Sequence, residues 1–243
     1  MAIFEDLEAE QDRLAAILAG LGEAQWTAPS AAAGWSVADV VLHLAQSDGA
    51  VVASAAGETL RAGPGSGASV DEIMNLLVQA ERAAPAEVFR HWQQGRAAAL
   101  AALRAADPKQ PMAWVETPMK PATLATTRLA EYWAHGLDIT GPLGIDFPDT
   151  DRLRNVAWLA HRTLPYALAR SGGQPYDVFC ELTAPDGTTV WQLGPQAADS
   201  SITGPAGAFC RVAAQRLAPG DSGLAVQGPH GAAALGVLRT YAA

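Results

Sequence analysis

The sequence predicts an α+β protein, in which a helical bundle is followed by a small α/β domain. Apolar residues recur at helical spacing through the first half of the chain. Alternating, β-rich segments appear after the Gly- and Pro-containing stretch GPLGIDFPDT. We therefore expect residues 1–147 to form the helical bundle and residues 148–243 to form the α/β domain.

The first half contains five predicted helices. The first covers residues 3–20, and the second starts near Ser36, where Ser36 and Asp39 form an S-x-x-D helix-start signal. VDEIMNLLVQAER and AEVFRHWQQGRAAALAALRAA predict two more helices around a break at Pro85. The fifth covers residues 122–139 and runs into a Gly-Pro stop. Between the second and third helices, the Gly/Ser-rich stretch AGETLRAGPGSGAS predicts a loop.

The second half mixes helices with short strands. A helix is predicted at residues 150–170, followed by a hairpin in YDVFCELTAPDGTTVWQLG, with its turn at Pro185-Asp186-Gly187. Further predicted elements are a strand at SSITG, a helix over residues 205–216, a strand at GLAVQG and a final helix at HGAAALGVLRTYA.

Composition excludes several classes of partner. Acidic residues number 25 against 16 basic ones, and the net charge of −9 argues against binding to nucleic acid or to an anionic membrane surface. The N-terminus lacks the basic segment and apolar run of a signal peptide, and no stretch has the roughly 20 uninterrupted apolar residues of a membrane span. Cys180 and Cys210 are too few for a disulfide scaffold or a zinc-thiolate site. We expect a cytoplasmic protein, whose oligomeric state the sequence does not determine.

The stretch EYWAHGLDITGPLG places an acid and an imidazole among apolar residues. Glu131 and His135 are four apart, so a helix puts both on one face, about one turn from each other. Such a pair can bind a metal, form an ion pair, or have no role. His43 is a third ionisable group on an apolar stripe, and two histidines with one carboxylate are the usual ligands of catalytic zinc. The 88 positions between His43 and Glu131 leave these alternatives open.

Two longer segments carry a family resemblance. GWSVADVVLHLAQSD and TTRLAEYWAHGLDITGPLG resemble the metal-binding helices of the mycothiol-dependent maleylpyruvate isomerase family, whose N-terminal domain is a DinB-like four-helix bundle. MAWVETPMKPATLATTRLAEYWAHGLD, LTAPDG and ITGPAGAFCRVAAQR resemble, more closely, an actinobacterial subgroup of metal-binding proteins in that family. The resemblance covers nearly the whole chain.

The resemblance implies a set of site residues. The metal ligands of the family, which also form its catalytic centre, fall on His43, Glu131 and His135, and they imply Zn²⁺ or another divalent metal. The family also has a Gly-Arg element in its C-terminal domain that helps to hold the thiol or an acidic substrate. Arg216 is the matching residue here, although Gln215 stands in place of the glycine. The alternative role for Arg216 is that of a helix-end residue that compensates the helix dipole.

One segment departs from the family pattern. VETPMK replaces an apolar FGPPMS just before the metal helix, so we expect Glu116 and Lys120 to rim the pocket and bind substrate. Asp48, Arg128 and Asp138 are candidates for holding the ligands in place, with a structural salt bridge as the alternative role for each.

The resemblance implies a metal-dependent enzyme that activates a thiol, with mycothiol as co-substrate, for isomerisation of, or S-transfer to, a small electrophilic substrate. One alternative is a thiol-independent Lewis-acid isomerase, cyclase or hydrolase, and another is a non-catalytic protein that binds a small ligand. Because pockets favour domain interfaces, we expect the active site to lie between the two domains, with Arg216 facing the metal.

Overall fold

A computed structural model of the chain describes residues 2–58, 69–115 and 117–240, apart from the side chain of Asp71. The chain divides into two compact units, one that ends at Phe147 and one that begins at Pro148. Most of the predicted Gly/Ser-rich loop lies outside the described residues, as does Glu116. Within the described residues, no helix is both long enough and apolar enough to cross a membrane.

The first unit is built from helices, and its four long ones form a bundle. The helices are α1 (Ala2–Ala19), α2 (Glu23–Trp26), α3 (Val37–Ala55), α4 (Val70–Ala80), α5 (Pro85–Ala105) and α6 (Pro121–Leu143). Helix α3 packs chiefly on α5, and α1 packs chiefly on α6, while α3 and α6 also meet each other. The core between them includes the fully buried side chains of Leu14, Leu44, Trp92, Leu124 and Leu129.

The start of α3 follows the predicted signal. The Ser36 hydroxyl accepts the backbone N–H of Asp39, and the Asp39 carboxylate accepts the backbone N–H of Ser36 at 2.9 Å, which completes a capping box. Arg82 adds two hydrogen bonds to the same carboxylate, at 2.8 and 2.9 Å. This arrangement fixes the first turn of the helix that carries His43.

Helix α6 does not stop at the Gly-Pro pair, as the sequence predicted, but continues through Pro142 to Leu143 and ends at the left-handed Gly144. Pro142 has no N–H to donate to the carbonyl of Asp138, four residues earlier. The backbone N–H of Ala31 donates to that carbonyl instead, at 2.9 Å. The long-range bond satisfies the carbonyl and ties the loop before α3 to α6.

The second unit contains a four-stranded mixed sheet with helices. Its described elements are α7 (Leu153–Arg170), β1 (Phe179–Thr183), β2 (Val190–Leu193), β3 (Ser201–Pro205), α8 (Ala206–Ala213), a 3-10 turn (Pro219–Asp221), β4 (Ala225–Gln227) and α9 (Gly231–Val237). The strand order is β2-β1-β3-β4, and β1 pairs antiparallel with β2 and parallel with β3. The antiparallel pairing of β1 with β2 confirms the predicted hairpin. In its turn, Asp186 accepts the backbone N–H groups of Thr188 and Thr189.

Helices α8 and α9 are both shorter than the sequence predicted, since α8 ends at Ala213 and α9 at Val237. Gln215 has a φ of 60°, in the left-handed region, and it ends α8 in a Schellman motif. In this motif the N–H of Arg216 donates to the carbonyl of Arg211 at 2.8 Å. The left-handed φ explains why a glycine suits this position. The Gln215 amide offsets the strain by donating to two backbone carbonyls, at 3.0 and 2.9 Å.

Candidate metal centre

The structure brings His43, Glu131 and His135 together. Oε2 of Glu131 lies 3.6 Å from Nε2 of His43 and 3.3 Å from Nε2 of His135. Each of the three side chains offers one ligand atom, and these atoms all lie within 4.8 Å of one another. Helical spacing alone aligns Glu131 with His135, whereas His43 reaches them because α3 packs against α6. In the part of the chain that the structure describes, this is the one such group of His, Cys, Asp and Glu side chains.

The three side chains are unequally buried. Those of His43 and His135 are 10% and 11% exposed, whereas that of Glu131 is 29% exposed. The carboxylate therefore lies at the open side of the cluster, and the two imidazoles lie at its closed side.

The electrostatics of the cluster favour an ionised carboxylate beside a neutral imidazole. Burial would raise the pKa of Glu131, but hydrogen bonds and charges from His135 and His43 outweigh it and hold that pKa well below its usual range. Burial lowers the pKa of His43, and the charges of His135 and Arg128 lower it further, against the opposing effect of Glu131. Both groups are then in the protonation state that a metal ligand requires.

The two histidines are oriented in different ways. Nδ1 of His135 lies 2.9 Å from Oδ2 of Asp138, which leaves its Nε2 directed toward the cluster. Burial lowers the pKa of His135, but Asp138 and Glu131 outweigh burial, so the net shift is upward. Nδ1 of His43 is buried and has no hydrogen-bond partner among the described residues. The orientation of the His43 ring therefore depends on its Nε2 contact with Glu131 and on packing.

Trp35, which is not among the site residues predicted from the sequence, supplies that packing. Its ring centroid lies 5.2 Å from that of His43 and 6.5 Å from that of His135. The indole N–H donates to Oδ1 of Asn75 on α4 at 3.0 Å, which holds the ring in place. The available signal was an aromatic residue directly before the cap of α3, just over two helical turns before His43.

The three residues proposed to hold the ligands separate into two roles. Asp138 contacts His135 directly. Asp48 and Arg128 instead form a buried ion pair with an N–O distance of 3.3 Å, so the salt-bridge alternative describes them. Among the described residues, neither Asp48 nor Arg128 makes a hydrogen bond to His43, Glu131 or His135.

The structure does not bring Lys120 to the cluster. Lys120 is the exposed residue that caps the start of α6, eleven residues before Glu131 and thus about 16 Å away along the helix. The preceding segment meets the far end of α3, where Ser54 donates to the carbonyl of Ala113 at 2.6 Å. Substrate binding by Lys120 stays a prediction, as does that by Glu116, which lies outside the described residues.

Arg216 belongs to the second unit and directly follows the strained Gln215. Its Nη1 donates to the carbonyl of Ala214 at 2.7 Å, so the side chain folds back on the end of α8. Contact between Arg216 and a substrate, and an active site between the two domains, stay predictions.

A cleft of about 530 Å³ opens in the first unit beside the cluster. Trp35 forms part of its wall, together with the Asp39–Arg82 ion pair and Pro85. None of the three clustered side chains lines it. Trp35 therefore contacts both the cleft and the cluster, but the cleft contains none of the three candidate metal ligands.

The fold and the site define a helical-bundle domain in which two histidines and a carboxylate converge from two helices. The family model of the mycothiol maleylpyruvate isomerase N-terminal domain matches residues 7–140. The chain belongs to this family.

Two relatives and two solved structures are also similar to this chain. Two uncharacterized proteins of Mycobacterium tuberculosis, MT0041 of strain CDC 1551 / Oshkosh and Rv0036c of strain ATCC 25618 / H37Rv, are each 35% identical over 218 residues, which cover 88% of this chain and 84% of theirs. The crystal structure of the mycothiol-dependent maleylpyruvate isomerase matches with a TM-score of 0.64 at 15% identity, over 94% of this chain and 95% of that one. A mutant of that enzyme matches equally well. The structural match shows a shared fold.

Proposed function

We propose that the protein is a metal-dependent enzyme that activates a low-molecular-weight thiol, such as mycothiol, for isomerisation of, or S-transfer to, a small electrophilic substrate. The convergence of His43, Glu131 and His135 is the observation on which this proposal depends. Membership of the family and the mycothiol dependence of the structurally similar isomerase support the choice of thiol.

The residues present fit a divalent metal, and we propose zinc. Two imidazole nitrogens and one carboxylate oxygen form the donor set of a catalytic zinc site, in which a fourth position stays open. Asp138 leaves Nε2 of His135 available, and the lowered pKa values of His43 and Glu131 favour their ligand forms. When bound, the metal would lower the pKa of a thiol or polarise a carbonyl in the open position.

The side chains of the site have separate tasks in this proposal. Hydrogen bonds and charges from His135 and His43 hold the pKa of Glu131 well below its usual range, so its carboxylate is ionised, as a metal ligand must be. Trp35 covers the two imidazoles and limits access of water from its side. Arg216 is proposed to hold an acidic group of the thiol or substrate through its forked donors. A cytoplasmic location stays a prediction of the sequence.

The metal content of the purified protein tests the proposal. We expect about one zinc per chain, and we expect His43→Ala and His135→Ala to lose it while the helical circular dichroism signal persists, because apolar faces hold the bundle together. His91→Ala is the matched control, since His91 is an exposed histidine of the same unit. His43, Glu131 and His135 are called the triad below. If His43→Ala and His135→Ala retain the metal as well as His91→Ala does, the proposed metal centre is refuted.

A thiol titration separates the enzymatic alternatives. Mycothiol is expected to bind the metal-loaded protein and to lose affinity in His43→Ala. Turnover of an electrophile without any thiol would assign the protein to the Lewis-acid alternative. Tight binding of a small ligand without turnover, with or without thiol, would identify a non-catalytic binding protein.

A further inference from the structure

Four buried side chains from three helices form a continuous polar network close to the triad. Asp48 on α3 accepts hydrogen bonds from the Tyr132 hydroxyl and from Nε of Arg128, the latter at 3.3 Å. The Tyr132 hydroxyl in turn accepts the indole N–H of Trp92 on α5 at 2.9 Å. All four residues are at most 2% exposed. Burying an ion pair is unfavourable unless its geometry and its hydrogen bonds compensate, so its presence calls for a reason.

Three of the four network residues lie on α3 and α6, the two helices that carry His43, Glu131 and His135. Asp48 follows His43 by five residues on α3, and Tyr132 follows Glu131 directly on α6. Arg128 precedes Glu131 by three residues, and its guanidinium carbon lies 5.6 Å from the Tyr132 ring centroid. The network and the His43–Glu131 contact are thus two polar cross-links between α3 and α6, spaced along the helices.

Apolar packing by itself sets the position of one helix along another only loosely, because hydrophobic attraction has no direction. Hydrogen bonds constrain it more narrowly, because they require a donor–acceptor distance near 3 Å and a near-linear angle. A slide of α6 by the rise of one residue, about 1.5 Å, would break the bonds to Asp48. The same slide would move Glu131 and His135 away from His43 by most of the length of a metal–ligand bond, about 2 Å.

We propose that Asp48, Arg128, Tyr132 and Trp92 are positioning residues that fix α3 against α6 at the register where His43 meets Glu131 and His135. The functional meaning of this register rests on the proposed metal centre. The register itself is a property of the metal-free protein and can be measured without the metal.

Two mild substitutions and one control test this role. Tyr132→Phe removes one hydroxyl and keeps the ring, and Asp48→Asn keeps the shape of the side chain but removes its charge. Leu103→Ala is the control, because Leu103 is 1% exposed on α5 and lies eleven residues beyond Trp92, outside the network. For each variant we would measure the zinc affinity by competition with a chromophoric chelator, the melting temperature, and the imidazole NMR resonances of His43 and His135 without metal.

Both network variants are expected to weaken zinc binding by about 10-fold or more and to shift both imidazole resonances. Leu103→Ala is expected to lower the melting temperature, yet to keep the zinc affinity within about twofold and the resonances in place. The triple variant Asp48→Leu, Arg128→Met, Tyr132→Phe removes the network without leaving a buried unpaired charge. It is expected to bind zinc weakly even where its melting temperature recovers.

Zinc affinities and resonances in Tyr132→Phe and Asp48→Asn that match those of Leu103→Ala would overturn the positioning role, and so would wild-type affinity in the triple variant. If the unsubstituted protein binds no zinc, the proposed function fails. In that case, the His43 and His135 resonances of the metal-free variants alone test whether the network fixes the register of α3 against α6.

Discussion

The two nitrogens of the His135 imidazole face different partners. Nδ1 lies 2.9 Å from Oδ2 of Asp138, one turn later on α6, while Nε2 lies 3.3 Å from Oε2 of Glu131. A carboxylate at Nδ1 holds the proton there and presents Nε2 as the free donor atom of the ring. Because the spacing of all three residues is set within one helix, this part of the site is assembled locally.

Removal of Asp138 is therefore expected to weaken metal binding without removing a ligand. Asp138→Ala should lower the zinc affinity by about 10–100-fold. Asp138→Asn should lower it less, since the amide oxygen still accepts from Nδ1. Chelator competition measures both affinities, and Asp146→Ala, at an exposed acid near the end of the same unit, is the control. Equal affinities in Asp138→Ala and the control would rule out the orienting role.

Gly136, next to His135, leaves space for the ring of Phe147. A Cβ atom at Gly136 would lie 2.5 Å from Cζ and 2.9 Å from Cε1 of Phe147. The ring has little room to move, because it is 8% exposed and the guanidinium carbon of Arg13 lies 3.6 Å from its centroid. Overpacking costs about 1–3 kcal/mol and the better helix propensity of Ala returns about 1 kcal/mol, so Gly136→Ala is expected to destabilise the protein by up to about 2 kcal/mol.

The sign of this effect is expected to reverse when the ring is removed. In a Phe147→Ala background, Gly136→Ala has no clash and should stabilise the protein by about 1 kcal/mol. Urea unfolding of the four proteins in the cycle measures the coupling. Additive effects of the two substitutions would show that Phe147 does not restrict Gly136.

The Asp39 carboxylate is expected to make stability depend on pH. Burial raises its pKa, but the hydrogen bonds from Arg82 and Ser36 outweigh burial, and the net pKa lies below the ordinary value of 3.8. Because the folded pKa is the lower one, the stabilisation is fully present above about pH 4–5 and is lost as the pH falls through the folded value.

Asp39→Asn weakens the capping box and the pairing with Arg82, so it should cost about 0.5–2 kcal/mol at pH 7, which is the range of capping losses, and less below pH 3. Urea unfolding across this range measures the difference from the unsubstituted protein. Leu103→Ala has no titrating group and should show the same loss at every pH. A constant cost of Asp39→Asn over the range would contradict the assignment.

Arg216→Ala tests the role that the family resemblance implies for the second unit. If Arg216 holds the thiol or an acidic substrate, its loss should raise KM and leave the zinc content unchanged, because a binding contact is removed rather than the Lewis acid. Arg211→Ala is the comparison, since Arg211 is an arginine of α8 that pairs with Asp149 at 2.6 Å. An unchanged KM in Arg216→Ala would leave Arg216 as a residue of the helix end.

The sequence by itself determined the features that depend on neighbours a few positions away. The capping box of Ser36 and Asp39, the hairpin turn at Asp186, and the shared face of Glu131 and His135 all follow from contacts within four residues. The helical first half and the mixed second half follow from apolar periodicity. For His43, Glu131 and His135, the residue pattern left three alternatives open, and the family resemblance selected metal binding.

Tertiary structure decided the relationships between distant residues. Packing of α3 on α6 places His43 beside Glu131, 88 positions later in the chain. The N–H of Ala31 lets α6 continue through Pro142, which no local rule predicts. Packing also pairs Asp48 with Arg128 rather than with a histidine. Local spacing sets which face a side chain takes, whereas its distant partner depends on how the helices pack together.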